Sequence, residues 1–374
     1  MSGFLITAHL LREADRTGRI SLRTFYLRRA RRILPAATAV LVVVSALTLL
    51  LVPVRQWTAW FREIVASALY VENWQLLIAS QDPATADLRS TPVQHYWSLS
   101  VEEQFYLVWP LLIILALWLA ARRGTDASRW MLLVLVPVSV ASFALSLALT
   151  ADDHNLAYFS TLARAWEFGA GAILAVVLAR RGAAGGLEAA GVPGRRDGLR
   201  AAAAWAGLAA VVLPIVLFTD AEAFPGAVVL LPVVGTAVVI LVGMPRTAWS
   251  PARAMALRPV QWTGDVSYSL YLWHWPVLMF APYLTGMPSP PWLMVLLVAL
   301  SFAIAGASKR WIEDPFRRRA GRVPVGRPAV LLGAVSVGMA AVLTAGAIAP
   351  GVAAEHRLAC EKNREDGPRS DRDR

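Results

Sequence analysis

The feature that most constrains this chain is a series of long apolar runs with few or no charged side chains. The first, residues 33–54, is uncharged across 22 positions, and a helix needs about 20 apolar residues to cross about 30 Å of hydrocarbon. Similar runs lie at 104–121, 130–150, 159–179, 201–218, 227–243, 266–283, 291–308 and 329–349. Only 16% of the residues are charged, against about 25% in soluble domains. These nine runs predict an all-α, polytopic transmembrane helix bundle.

The basic residues are distributed unevenly between the segments that join these runs. The net charge of +11 first suggests a nucleic-acid ligand. However, 26 of the 36 Lys and Arg residues lie on one side if the nine runs alternate across a membrane. Basic residues concentrate in cytoplasmic loops. The pattern therefore predicts no nucleic-acid partner, a cytoplasmic loop at 12–32 and an exterior C-terminus.

Four segments are predicted along the chain. Residues 1–32 combine the apolar end of a helix with an Arg-rich loop, and residues 33–327 form a membrane domain. Residues 328–350 add one more transmembrane helix. Half of the last 24 residues, 351–374, are charged, which predicts a disordered tail. Residues 57–80 mix charges with aromatic side chains and predict an interfacial helix on the exterior side.

An arginine cluster precedes the first apolar run. Arg28 and Arg32 are four residues apart and share a helix face, with Arg29 beside them. Guanidinium groups present forked donors that suit phosphate and keep their charge. The alternative is a topology anchor that also pairs with anionic lipid. Spacing alone leaves both interpretations open.

A second polar cluster lies at residues 95–106. Ser100 and Glu103 have the spacing of a capping box, which predicts a helix that opens at Ser100. Glu102 has no such duty, and a carboxylate entering a membrane helix usually serves a partner or a substrate path. Ser98 and Glu102 are four residues apart and share a face, while His95 lies before the predicted cap.

A third cluster lies inside an apolar run. Ser267, Tyr271 and His274 are spaced i, i+4 and i+7, so they predict one polar stripe along a helix. Inside a bilayer, such a stripe usually faces a cavity or a substrate path. His274 is therefore a candidate functional residue.

Two further features point to structural roles. Arg164 and Glu167 are three residues apart at the start of a run and predict an ion pair. The single cysteine, Cys360, excludes a disulfide within one chain. No metal-ligand motif is present in the sequence, so no metal is predicted.

Six strings, taken in order, resemble the membrane-bound acyltransferase family 3, the inner-membrane O-acyltransferases of the O-antigen acetylase type. They are SGFLIT (2–7), RRARRILP (28–35), HYWSLSVEEQFY (95–106), RAWEFGAG (164–171), SYSLYLWHWP (267–276) and IEDPFRR (312–318). The likeness covers roughly residues 2–320. The YLWHWP form and the run at 329–349 are similar to the subgroup often fused to an exterior SGNH-type domain.

The resemblance implies an activity in a cell inner membrane. Members move an acyl group, usually acetyl, from cytoplasmic acyl-CoA to a hydroxyl of an envelope glycan or related acceptor. Acetyl-CoA is then a donor substrate rather than a bound cofactor, and the arginine cluster Arg28, Arg29 and Arg32 grips its phosphates. The acceptor side is assigned to His95, Ser98 and Glu102. The catalytic candidates are Glu102 and His274, supported by Ser267, Tyr271, Arg164 and Glu167.

The chain departs from the family at its start. The family's catalytic Arg and His lie in a first helix that has no counterpart here, and ten or eleven spans are expected in a complete member. We therefore expect little or no activity from the chain as written, with a misplaced start codon as the hypothesis. The alternative functions are a non-catalytic membrane scaffold, a glycan transporter or an unfolded relic.

Overall fold

The computed structural model describes residues 1–81, 90–182, 195–217, 224–243, 245, 247–286, 290–317 and 326–365. Every regular element in this part of the chain is helical, which confirms the all-α prediction. The helices are α1 (Ser2–Thr17), α2 (Leu22–Leu51), α3 (Val54–Ala68), α4 (Glu72–Ser80), α5 (Tyr96–Arg123), α6 (Ala127–Asp152), α7 (His154–Phe159), α8 (Thr161–Arg180), α9 (Arg195–Leu217), α10 (Leu230–Val242), α11 (Pro251–Met255), α12 (Arg258–Thr285), α13 (Pro291–Ser308), α14 (Asp314–Arg317) and α15 (Gly326–Glu365). A 3₁₀ turn, Ala227–Val229, precedes α10, and a π-helical turn, Lys309–Glu313, follows α13.

The chain divides into two compact units. Unit 1 contains Met1–Arg23, Leu77–Gln81 and Val101–Gly264. Unit 2 contains Thr24–Leu76, Asp82–Ser100 and Asp265–Arg374. Several helices contribute residues to both units.

Seven described helices are long and apolar enough to cross a membrane, which fits a multi-pass membrane protein. They lie at Leu22–Leu51, Tyr96–Arg123, Ala127–Asp152, Thr161–Arg180, Asp197–Leu217, Pro291–Phe316 and Val335–His356. The predicted number was nine. Of the other two runs, 227–243 folds as a shorter apolar helix. The run 266–283 lies within α12, whose serine, tyrosine and histidine residues lower its hydropathy.

Unit 1 is held together by close contacts between α1 and α8. A Cβ added at Gly3 would lie 1.9 Å from the Phe168 carbonyl oxygen, and one at Gly171 would lie 2.9 Å from the Phe4 nitrogen. Only glycine permits backbones to approach this closely. Thr7 of α1 also accepts a hydrogen bond of 3.0 Å from the Trp109 indole of α5. The strings SGFLIT and RAWEFGAG therefore pack against each other.

Unit 2 has a core built from α2, α3, α5, α12 and α15. Val40, Phe61, Ile64 and Leu272 are fully buried in it. The Trp60 ring of α3 meets the Phe280 ring of α12 edge-on, with ring centroids 5.9 Å apart. These apolar contacts fix α12 against α3.

Three predicted boundaries differ from the structure. The helix predicted to open at Ser100 begins at Tyr96, so Ser100 is not a cap; its hydroxyl donates to the Tyr96 carbonyl at 3.0 Å. The single interfacial helix predicted at 57–80 is two helices, α3 and α4, joined at Tyr70, whose φ is 56°. The tail predicted from residue 351 is helical as far as Glu365, because residues 353–365 are rich in Ala, Glu, Lys and Arg, which favour helix. The other domain boundaries remain predictions.

Candidate active site

Four polar side chains meet in unit 2, between the start of α5 and the middle of α12. We call His95, Ser98, Tyr271 and His274 the histidine cluster. The Ser98 and Tyr271 hydroxyl oxygens are 2.5 Å apart, and the Tyr271 hydroxyl donates to the His95 backbone carbonyl. The His95 ring centroid lies 5.2 Å from that of Tyr271 and 5.5 Å from that of His274. The fold thus joins the second and third predicted clusters.

The α12 backbone fixes the tautomer of His274. Its Nδ1 lies 2.8 Å from the Tyr271 carbonyl oxygen and 3.1 Å from the Leu270 carbonyl oxygen. Carbonyl oxygens only accept hydrogen bonds, so Nδ1 carries a hydrogen. In the neutral ring, Nε2 is then the atom with the free lone pair. His274 can therefore accept a proton at a defined atom.

His95 is a buried imidazole, located just before the apolar span of α5. Both of its ring nitrogens are buried, and neither makes a hydrogen bond of ordinary geometry within the described residues. Burial, and then the neighbouring His274, lower the His95 pKa to about 3, although the Leu272 carbonyl opposes this shift. That carbonyl lacks its helical donor because Pro276 has no N–H. His95 is therefore neutral at physiological pH.

Two hydrogen bonds fix the chain around the cluster, and sequence analysis did not anticipate either of them. The Tyr96 hydroxyl, at the first residue of α5, donates to the Ala37 carbonyl of α2 at 3.1 Å. The Trp275 indole, next to His274, donates to the Thr91 carbonyl at 2.8 Å. Tyr96 and Thr91 are both buried. The position of His95 is thus set from both sides along the chain.

Unit 1 holds a second polar cluster, in which the charged groups have protein partners. Glu102 accepts hydrogen bonds from the hydroxyls of Ser2 and Tyr106. Arg164 binds Glu167 twice, with Nε–Oε1 of 2.9 Å and Nη2–Oε2 of 3.0 Å, which confirms the predicted ion pair. Arg164 and Glu167 line a cavity of about 300 Å³ bounded mainly by apolar residues of α8 and α10.

One residue of the predicted polar stripe lies outside the histidine cluster. Tyr271 and His274 are half-buried and in contact, with ring centroids 5.8 Å apart. Ser267 is exposed, one turn earlier on α12. The stripe was predicted from helical spacing, but on this turn of α12 Val266 and Ser269 are the buried residues. The supporting role of Ser267 in the site stays a prediction.

The arginine cluster lies within α2 rather than in a loop before it. The helix begins at Leu22, so Arg28, Arg29 and Arg32 are all helical. Arg28 and Arg32 are exposed, whereas Arg29 is half-buried and its Nε is buried. The Arg28 and Arg32 side chains can therefore reach a ligand from one helix face.

A carboxyl pair was missed by sequence analysis. Glu63 and Glu72 lie on α3 and α4, and the Glu63 carboxylate accepts a hydrogen bond from the Thr91 hydroxyl. Their signal was present, because both interrupt the aromatic segment 57–80, but nothing in the spacing showed that they meet.

The described residues include no group of three or more His, Cys, Asp or Glu side chains placed to hold a metal ion. The histidine cluster instead offers a proton acceptor, a neutral buried imidazole and two linked hydroxyls. These groups suit proton transfer to and from a hydroxyl or thiol.

Comparison with known proteins identifies the family. The acyltransferase family 3, described as an acyltransferase domain, matches residues 1–309. The chain belongs to this family. The match covers most of the chain and includes both the histidine cluster and the arginine cluster. The family resemblance inferred from the six strings is thereby confirmed.

Three similar proteins show what this family contains. The chain is 26% identical to the peptidoglycan O-acetyltransferase OatA of Listeria monocytogenes over 332 residues, 85% of this chain and 50% of that protein. It is 27% identical to the putative peptidoglycan O-acetyltransferase YrhL of Bacillus subtilis, over 85% of this chain and 49% of that protein. A putative O-acetyltransferase of Staphylococcus aureus is 29% identical, over 85% of this chain and 51% of that protein.

The chain therefore spans about half the length of the curated relatives it matches. No solved structure was found to match it.

Proposed function

We propose that this chain is the membrane part of an O-acyltransferase that moves an acetyl group from acyl-CoA to a hydroxyl of a cell-envelope glycan. Its membership of the acyltransferase family and its long apolar helices support this proposal. The names of its relatives favour peptidoglycan as the glycan. The observation that carries the proposal is the histidine cluster, with a proton acceptor at His274 Nε2.

Acyl transfer needs a group that moves one proton. The acceptor hydroxyl attacks the thioester carbonyl, its O–H bond breaks, and an ester bond forms while the C–S bond of the thioester breaks. In the proposed reaction, His274 Nε2 takes the hydroxyl proton and returns it to the CoA thiolate. The Nδ1 contacts to the α12 carbonyls keep the ring oriented during both transfers. His95, held neutral, adds no competing charge beside it.

The arginine cluster is the proposed site for the CoA phosphates. Arg28 and Arg32 are exposed on one face of α2, and guanidinium groups present forked donors that suit phosphate. The uneven distribution of basic residues supports a cytoplasmic location for this face, in a cell inner membrane. The donor would then enter from the cytoplasm, and the C-terminus would be exterior.

A transfer assay with labelled donor tests this proposal. Membranes from cells expressing this chain are given acetyl-CoA labelled in the acetyl group, and label is measured on peptidoglycan. The Arg28→Ala/Arg32→Ala double variant should raise the KM for acetyl-CoA about tenfold or more, with kcat little changed. The Arg16→Ala/Arg19→Ala variant removes the same charge from exposed positions in α1 and the following turn, and serves as the control.

The outcomes separate the proposed function from its alternatives. Label on peptidoglycan, with a KM change confined to the Arg28/Arg32 variant, supports the acyltransferase and its donor site. Equal KM values in both double variants would exclude the arginine cluster as the donor site. No label on any glycan, from protein that is stably inserted, would favour a scaffold or transporter.

A further inference from the structure

The carboxyl pair Glu63 and Glu72 lies in unit 2, outside the seven candidate spans. The turn between α3 and α4 brings the two side chains together, and their carboxyl groups lie within hydrogen-bonding contact of each other. Tyr70 in this turn has a φ of 56°, a value that non-glycine residues seldom adopt. The unfavourable backbone angle of Tyr70 thus lies in the turn that joins the helices of Glu63 and Glu72.

Glu72 is completely buried and receives no hydrogen bond of ordinary geometry from a neutral or cationic group in the described part of the chain. Its relative exposure is 0%, and neither carboxyl oxygen has a hydrogen bond of ordinary geometry within the described residues. The neighbouring Ser67 hydroxyl is also fully buried and interacts with the Glu72 carboxyl. No Lys or Arg forms an ion pair with Glu63 or Glu72 in the part of the chain that the structure describes. An isolated carboxylate in such a place is very costly, so the group takes up a proton instead.

The pair contacts the segment that leads into the histidine cluster at both of its ends. The Glu63 carboxylate accepts a hydrogen bond from the Thr91 hydroxyl. The Glu72 backbone N–H donates to the Ser100 hydroxyl at 3.3 Å. Residues 91–100 are thus held on α3 and α4, and His95 lies between the two contacts.

Electrostatics support a shared proton. Burial raises the pKa of Glu72 well above its usual range, and the charge of Glu63 adds to this effect. Burial also raises the pKa of Glu63, although the Thr91 hydroxyl opposes the shift. Two adjacent acids of this kind titrate as a unit, with the second proton lost late.

We propose that Glu63 and Glu72 share a single proton and position residues 91–100, and with them His95 and Ser98. The effect of the carboxyl pair on catalysis rests on the proposed function, whereas the sharing of a proton between the two carboxyls does not. At neutral pH the pair carries one negative charge, and the proton between the two carboxyls keeps them together. Loss of that proton places two charges side by side, so the contacts at Thr91 and Ser100 loosen.

The surrounding elements bring few other groups that titrate near neutral pH. On α3, Arg55 and Arg62 are exposed. On α15, which packs against α3, Glu355 and His356 are exposed as well. Tyr96 of α5 is a fully buried phenol. His95 and His274 belong to the histidine cluster itself, and both are unchanged in the variants Glu72→Gln and Glu355→Gln.

Thermal unfolding of the purified protein in detergent, measured from pH 5 to pH 9, tests the shared proton. The raised pKa values mean that stability is greatest near the ordinary carboxyl pKa of about 4.3 and is lost as pH rises toward the raised values. One proton released on unfolding changes the unfolding equilibrium up to about tenfold per pH unit. Glu72→Gln, which is neutral at every pH, should remove this dependence. Glu355→Gln, a matched change at an exposed site, should retain it.

A pH dependence in Glu72→Gln equal to that of the wild type would overturn the proposal. Stabilisation of the wild type by Na⁺, Mg²⁺ or Ca²⁺, but not of Glu72→Gln, would also overturn it, since a cation would then neutralise the pair. Neither result depends on enzymatic activity. A failure of the shared-proton proposal can therefore be distinguished from a failure of the proposed function.

Acetyl transfer from the same preparations tests the positioning role. Glu72→Gln should keep its activity at pH 7 and lose the alkaline decline of the wild type. Thr91→Val, which removes the contact to Glu63, should lower kcat about tenfold with an unchanged KM for acetyl-CoA, while the pH dependence of unfolding remains. A kcat equal to that of the wild type in Thr91→Val would contradict the positioning role.

Discussion

The two polar clusters of this protein differ in how their polar groups are hydrogen-bonded. In unit 1, Glu102 is bonded to two hydroxyls, and Arg164 and Glu167 bind each other through two hydrogen bonds. In unit 2, His95 has two buried nitrogens without a hydrogen bond of ordinary geometry. A satisfied charge stabilises the fold, whereas a buried polar group without a hydrogen bond of ordinary geometry costs free energy and calls for another explanation. We therefore assign a structural role to the unit 1 cluster that contains Glu102, and a catalytic role to the histidine cluster.

The largest expected effect is that of His274→Ala. Removing the proposed proton acceptor should lower kcat for acetyl transfer by about 100-fold or more, because Nε2 is the only oriented lone pair offered by that ring. The measurement is transfer of labelled acetyl to peptidoglycan at equal amounts of membrane protein. His154→Ala, an exposed histidine on α7, is the control. Equal rates of acetyl transfer for the two variants would contradict the catalytic role of the histidine cluster.

Glu102→Ala should act on stability instead. It leaves the Ser2 and Tyr106 hydroxyls without their acceptor, at a cost of about 2 kcal/mol in the free energy of unfolding. Denaturation in detergent measures this change, with Asp152→Ala, an exposed acid of unit 1, for comparison. Activity per folded molecule should stay near that of the wild type. A loss of kcat at unchanged stability would place Glu102 in the chemistry, as sequence analysis expected.

Tyr271→Phe sharpens the comparison within α12. It removes the hydroxyl that links Ser98 to the His95 carbonyl, so kcat should fall about tenfold while stability falls by about 1 kcal/mol. Tyr283→Phe removes a hydroxyl from the same helix, where it donates to Gln56 at 3.1 Å. This control should show the stability change alone. Identical behaviour of the two variants would mean that the cluster hydroxyls only hold the fold.

Arg164→Lys should have the smallest effect. Lysine keeps the charge but cannot make the two-point contact with Glu167, and both side chains are partly solvent-accessible. We expect a loss of roughly 0.5–1 kcal/mol in the free energy of unfolding and unchanged acetyl transfer. Glu167→Gln should give a loss of similar size. A large fall in transfer from either variant would show that the cavity they line is part of the substrate path.

Much of the fold was predictable from the sequence because apolar runs of sufficient length can only be helices in a membrane. The run at 130–150 lies within α6, and the run at 291–308 coincides with α13. The predicted start of α5 was wrong because the spacing of Ser100 and Glu103 resembles that of a capping box. Its true start, Tyr96, is fixed by a hydrogen bond to Ala37, which no local pattern reveals.

The site was predicted in pieces rather than as a whole. His95, Ser98, Tyr271 and His274 were each selected for local reasons, yet Ser98 and Tyr271 are 173 positions apart. Their contact depends on how α5 and α12 pack, so spacing could not show it. Glu72 was missed for a related reason: a glutamate among aromatic residues looks interfacial until the fold buries it completely.

The most direct test of this account measures acetyl transfer and thermal unfolding on the same preparations of His274→Ala and Glu102→Ala. The account predicts opposite results. His274→Ala should lose transfer by about 100-fold while its melting temperature changes by at most about 4 °C. Glu102→Ala should melt earlier while each folded molecule transfers acetyl at the wild-type rate. If both variants lose transfer only in proportion to lost stability, the histidine cluster is structural and the central claim is contradicted.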